Sequence, residues 1–192
     1  MRLVAITPGD GRDLEARVLA ALLAGVDAVL LREPVLRLDL LRPGVILHGR
    51  TPGAIKAAIR TGCGLHLPAT LDASALREHI TGTLSQSCHD AAGLAAAAAA
   101  GCDFAFLSPV FSPGSKPTDT RPTLGLDGLA VLCASASLPV IALGGIGPEV
   151  VAGCRAAGAS GVACIGAILG REDVTASAAR MRRACGMDAT VG

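Results

Sequence analysis

Three histidines are placed where an imidazole could do acid–base work. His48, His66 and His89 each end a short apolar run or follow one directly, and a side chain with a near-neutral pKa at such a point can give and take a proton. Each is equally well read as a hydrogen-bonded structural histidine. His79 falls late in a helical stretch and reads as solvated. A second chemistry is written in glycine. Gly144 and Gly145 directly follow one apolar run and Gly166 follows another, leaving backbone N–H groups uncovered where an oxyanion can approach. Glycines also serve tight turns, so the pattern is a phosphate signal only in the right fold. Lys116, one of two lysines in the chain, lies beside Ser115 in the long stretch 108–125. A cation on such a segment can close over a phosphate or diphosphate, or it is a solvated surface lysine.

The elements that must carry these residues repeat. Eight apolar runs occur at 3–7, 27–32, 45–48, 64–67, 83–87, 104–108, 140–143 and 161–165. Between them lie helical stretches at 13–24, 51–61, 72–80, 90–100, 126–136 and 149–157. Asp13, Thr51 with Pro52, Asp72, Asp90 and Gly147 with Pro148 read as helix starts, and Gly25, Gly62, Gly101 and Gly158 as helix ends. Four junctions share one phrase, with a helix-ending glycine just before a strand, as in Ala-Gly-Val-Asp at 24–27 and Ala-Gly-Cys-Asp at 100–103. Continuous apolar strands alternating with helices predict a parallel sheet covered on both faces. Eight strands predict a closed, compact (β/α)8 TIM barrel spanning 1–192 as one domain, where a flavodoxin-like or Rossmann sheet would leave two or three runs over. The second helix is expected to be stunted, because only 33–44, with Pro34 and Pro43, separates runs two and three.

In such a barrel, function gathers on the loops after the strands. That selects Arg32 and Glu33, His48 with Arg50, His66, Ser87 with His89, the 108–125 loop, Gly144 with Gly145, and Gly166. Arg32 ends an otherwise buried strand, so its guanidinium is expected in the barrel mouth.

Composition excludes several classes. Of 192 residues, 51% are hydrophobic and 17% charged, with 17 Lys and Arg against 16 Asp and Glu, so a folded core is affordable. Aromatics are 2%, Trp and Tyr are absent and the basic residues are dispersed, which argues against nucleic acid as a partner. No membrane partner is expected either, since no signal-like or spanning apolar segment is present, and the expected location is cytoplasmic. Seven cysteines without a C-x-x-C pair read as small buried apolar residues. A homodimer through an apolar helix face stays open.

Over about 3–170 the chain resembles the thiamine phosphate synthase family, including its TenI-type thiazole tautomerase branch. The matching phrases are LLRE at 30–33, LHGR at 47–50, LHLP at 65–68, SQSCHD at 85–90, SPVFSPGSK at 108–116, PVIALGGIGPE at 139–149 and GASGVACIGAIL at 158–169. The resemblance implies a (β/α)8 barrel that binds a small phosphorylated heterocycle. The family's synthases join a pyrimidine diphosphate to a thiazole phosphate and release diphosphate, with Mg²⁺ neutralising the leaving group. The TenI-type branch moves a proton on the thiazole with a histidine and no metal.

Position by position, the synthase's Gln-x-Arg-x-Lys is here Leu30, Arg32 and Pro34, and its Asn-Asp before arginine is His48 and Gly49. A second metal-binding aspartate aligns near Leu71, with Asp72 one residue late; a threonine aligns with Pro113, and the tautomerase histidine with Pro109. The resemblance therefore implies a TenI-like protein with a degenerate Mg²⁺–diphosphate site, no metal ligands and no cofactor. It implies Gly144, Gly145, Ile165 and Gly166 as phosphate donors, with Ser115 and Lys116 closing over, and Arg32, Arg50 and Ser87 in the substrate pocket. His48, His66 or His89 would serve as acid–base group, His48 foremost. The alternatives are a working synthase, which alone would need Mg²⁺, and a non-catalytic binder of a phosphorylated metabolite.

Overall fold

The computed structural model describes residues 1–112 and 121–187. Eight parallel strands close into a barrel in chain order: β1 Leu3–Ile6, β2 Ala28–Leu31, β3 Val45–His48, β4 Gly64–Leu67, β5 Leu84–Cys88, β6 Phe104–Leu107, β7 Val140–Leu143 and β8 Gly161–Cys164. The helices on its outside are α1 Leu14–Leu23, α2 Pro52–Thr61, α3 Ala91–Ala99, α4 Gly125–Ser135, α5 Val151–Ala156 and α6 Val174–Ala184. The expected fold is thus present.

Strand alternation divides the core in two. One set of side chains packs outward against the helices, among them Leu3, Val29, Leu47, Leu65 and Leu107. The other fills the barrel, with Val4, Ile6, Leu30, Ile46, Phe106, Ile141 and Ala163. Two aromatic rings, Phe104 and Phe106, meet edge to face at 5.5 Å inside it. Parity then fixes what reaches the mouth. Leu30 points in, so Arg32 does; Ile46 points in, so His48 does; Ser85 points in, so Ser87 does.

The repeated Ala-Gly-x-Asp phrase has a structural purpose. Gly25 and Gly101 end their helices at φ of +83° and +75°. The aspartate that follows receives the first amides of the preceding strand. Asp27 Oδ2 accepts from Arg2 N at 2.5 Å and Leu3 N at 3.0 Å, and Asp103 Oδ2 accepts from Leu84 N at 2.7 Å. Both latches sit at the N-terminal end of the barrel, away from the mouth.

Several local expectations need correction. Residues 72–80 form no α-helix. Asp72 Oδ1 accepts from Ser74 N (2.9 Å) and Ser74 Oγ (2.7 Å), a side-chain turn that competes with helix formation, and only a 3₁₀ turn, Arg77–His79, follows. Asp13 sits at φ +45° and its side chain caps nothing. The helix after β7 begins at Val151, so Pro148 lies outside it. By contrast Thr51 and Asp90 cap α2 and α3 as expected. The 33–44 segment holds one 3₁₀ turn, Leu38–Leu40, as its length foretold. The sequence reading stopped short of α6, whose Asp173 cap and buried Val174, Ala178 and Met181 give the helical signature.

The buried thiols are inert. Burial pushes Cys88 and Cys164 up to about 12, and Cys102 and Cys154 up to about 11, so none is a thiolate at neutral pH. No helix among the described residues is long and apolar enough to cross a membrane.

Candidate functional site

The C-terminal ends of the strands open into a cavity of about 1280 Å³. It brings together Arg32, His48, Arg50, His66, Ser87, His89, Gly144, Gly145, Ile165 and Gly166, ten of the residues singled out from the sequence. Ser115 and Lys116 lie outside the described residues.

One wall is cationic. Arg32 is half-buried; its amide donates to Thr7 Oγ1 at 2.8 Å and its Nη2 to the Pro8 carbonyl at 3.1 Å, which aims the guanidinium across the mouth. Burial and then the nearby Arg50 charge lower its pKa, with Glu33 partly opposing. Two like charges held this way favour an anion between them.

The opposite rim is made of backbone. Gly144 and Gly145 adopt φ of +101° and +63°, and a Cβ on them would meet Pro109 Cα at 3.0 Å and Phe111 Cβ at 2.7 Å. Glycine is thus required by both conformation and close packing where the chain reverses. At Gly166 a Cβ would meet nothing within 4 Å. Among the described residues the N–H groups of Gly144, Gly145, Ile165 and Gly166 donate to no backbone acceptor outside the regular ladders. Arg17 of α1 pins the segment after Gly166 by donating to the carbonyls of Leu169 and Arg171.

The histidines separate by environment. His66 is 2% exposed, with Ser85 Oγ 3.0 Å from Nδ1 and Ser87 Oγ 2.9 Å from Nε2. Burial, and then the His48 charge, lower its pKa to about 3. Of the two readings open to it, a hydrogen-bonded structural histidine is the one this environment favours: a neutral ring held between two hydroxyls. Its face meets Phe106 edge-on at 4.7 Å. His48, half-buried at the end of β3, faces the cavity. His89 is exposed; its Nδ1 donates to the Ser108 carbonyl at 2.6 Å, and Arg121 Nη1 lies 3.0 Å from each ring nitrogen.

Six further arginine and carboxylate residues line the cavity: Arg121, Arg171 and Arg180, with Glu149, Glu172 and Asp173. Arg171 precedes α6 and Arg180 lies within it, both beyond the last motif phrase. Counting the strand-end loop after β8 through to its helix would have found them.

A Mg²⁺ site of the kind the resemblance implies does not fit these residues. Where an aspartate would follow β3, a side chain on Gly49 would strike Leu67 Cδ2 at 2.8 Å and Leu65 Cδ1 at 3.1 Å. Asp72 is exposed and engaged by Ser74. Among the described residues no three His, Cys, Asp or Glu side chains gather to hold a metal.

Residues 50–168 match the family described as thiamine monophosphate synthase. The chain belongs to that family. The thiamine-phosphate synthase of Methanoculleus marisnigri is 39% identical over 193 aligned positions, covering 92% of this chain and 90% of that protein. The putative thiamine-phosphate synthase of Geobacter sulfurreducens is 37% identical over 177 positions, covering 85% and 83%. The thiamine phosphate pyrophosphorylase of Pyrococcus furiosus shares the fold, with a TM-score of 0.80 over 96% of this chain and 95% of that one at 22% identity. As a member of the thiamine monophosphate synthase family, the chain is a thiamine-biosynthesis protein. The relatives carry the synthase's name, which moves the balance from the tautomerase reading toward the synthase one.

Proposed function

We propose that this barrel is a thiamine-phosphate synthase. Thiazole phosphate lies with its phosphate on the amides of Gly144, Gly145, Ile165 and Gly166, and a pyrimidine diphosphate lies across the mouth toward Arg32. The thiazole nitrogen forms a bond to the pyrimidine's methylene carbon as the carbon–oxygen bond to diphosphate breaks, and diphosphate leaves with that electron pair. The observation that carries the reading is the facing arrangement of an uncovered amide rim and an arginine wall across one cavity large enough for two substrates. The barrel's part is to hold the two reactants in line and to meet the charge of the departing diphosphate. Near full-length similarity to named synthases supports it. Incubation of the purified protein with thiazole phosphate and pyrimidine diphosphate is expected to yield thiamine phosphate and free diphosphate in equal amounts; absence of both products refutes the reading.

One observation favours a second reading. His48 faces the cavity beside the substrate pocket, where the residues for Mg²⁺ are absent among those described, as suits a TenI-like proton transfer on the thiazole. Thiazole aromatisation without thiamine phosphate formation would select it.

A further inference from the structure

Diphosphate is a poor leaving group unless its charge is met, and the family's means of meeting it does not fit this chain. The position after β3 is Gly49, which offers no ligand atom and packs closely on Leu67 and Leu65, and Asp72 is engaged by Ser74. The same cavity is instead lined by arginines. Arg32 and Arg50 stand on the β2 and β3 side, and Arg171 and Arg180 on the β8 and α6 side. None of the four takes part in an ion pair among the described residues, while Arg12, Arg37, Arg42 and Arg77 elsewhere in the chain do. The acidic groups near them are Glu33, which partly offsets the charge beside Arg32, Glu149 after β7, Glu172, and Asp173, whose Oδ1 is held by the first turn of α6, accepting from Ala176 N at 2.8 Å; none of them forms an ion pair with the four arginines among the described residues.

We propose that this protein holds a diphosphate group with the guanidinium groups of Arg32, Arg50, Arg171 and Arg180 in place of Mg²⁺, so that binding of the diphosphate substrate is independent of divalent metal. The proposal rests on the reading of the mouth as a diphosphate site. Guanidinium forks match phosphate oxygens two at a time and stay charged at any working pH, so several of them supply both the geometry and the charge that a metal ion otherwise brings. Arg32 is prepositioned by the Pro8 carbonyl, and the repulsion it shares with Arg50 is relieved when an anion enters between them.

Calorimetric titration of inorganic diphosphate into the full chain tests this, once in EDTA and once in Mg²⁺. Binding is expected in EDTA, and Mg²⁺ is expected not to tighten it. Arg50→Ala and Arg180→Ala, both at exposed positions, are each expected to weaken binding about tenfold, the effect of losing one charge-assisted hydrogen bond. Arg50→Lys and Arg180→Lys, checked for an unchanged melting curve, separate loss of charge from loss of fold. Binding that requires Mg²⁺, no binding of diphosphate in either buffer, or arginine variants that bind like the parent would each overturn the proposal. Diphosphate binding in EDTA without formation of thiamine phosphate upholds it and removes the synthase reading instead.

Discussion

His48 and His66 are partners in register on β3 and β4, with ring centroids 5.4 Å apart and planes inclined at 74°, yet they live in different solvents. His66 is sealed inside the barrel with a serine hydroxyl on each nitrogen, while His48 faces the cavity. Two residues of one type, side by side, are thus divided between the sealed interior and the open cavity.

Acidification should expose that division. The folded-state pKa of His66 lies at about 3, below its ordinary 6.5. Below 6.5 the unfolded chain takes up a proton that the folded one refuses, so stability falls as pH drops from 6.5 toward 3 and is fully present above 6.5. The slope from this group approaches ~1.4 kcal/mol per pH unit. Urea unfolding at neutral and mildly acidic pH should show the loss in the parent and a shallower loss in His66→Phe; equal slopes would remove His66 as the cause.

His48 carries the proton-transfer reading. His48→Asn should lower the rate of thiazole tautomerisation roughly 10²–10⁴-fold while thiazole phosphate still binds. Unchanged tautomerisation in the variant assigns the proton to another group, with His89 next in line.

At Gly166 there is space for one methyl group and, on the phosphate reading, an anion in that space. Gly166→Ala should leave stability within about 0.5 kcal/mol, as the new Cβ meets nothing within 4 Å. Affinity for thiazole phosphate should fall about tenfold, the consequence of a steric cost near 1.4 kcal/mol. Equal affinity would place the phosphate elsewhere.

The latches at the other end of the barrel make the reverse prediction. Asp27→Ala strands the amides of Arg2 and Leu3, and Asp103→Ala strands that of Leu84. Each should cost about 1–3 kcal/mol in chemical denaturation and leave turnover at saturating substrate unchanged. A loss of turnover without loss of stability would contradict this separation of ends.

Much of the barrel was legible because its signals are local. Continuous apolar runs and the glycines at 25, 62, 101 and 158 mark strand starts and helix ends without reference to partners. The 72–80 stretch misled because the Asp72 carboxylate accepts both the amide and the hydroxyl of Ser74, a competition that helix propensity does not register. Arg32's position at the end of an otherwise buried strand pointed to the mouth, and it lines the cavity there. What sequence could not convey was the burial of His66, which sets Ser85 and Ser87 of the next strand on its ring nitrogens and Phe106 of the one beyond against the ring, and which, with the His48 charge, lowers its pKa. Arg171 and Arg180 were missed for a plainer reason: they follow the last recognisable phrase, and only the turn into α6 brings them back over the cavity.

From β5 onward through β8 and back to β2 every crossover carries an α-helix, α3, α4, α5, α6 and α1 in turn, and α2 carries the crossover from β3 to β4. The stretches 33–44 and 68–83 give no such backing, offering only the 3₁₀ turns Leu38–Leu40 and Arg77–His79. The rim glycines therefore end strands whose crossovers carry helices, whereas Arg32 and His66 each lead into one of the two crossovers that do not. On the proposed reading, a phosphate gripped at the glycines rests over the helix-backed side of the barrel, and the arginine that meets it from across the mouth rises from the side built of turns.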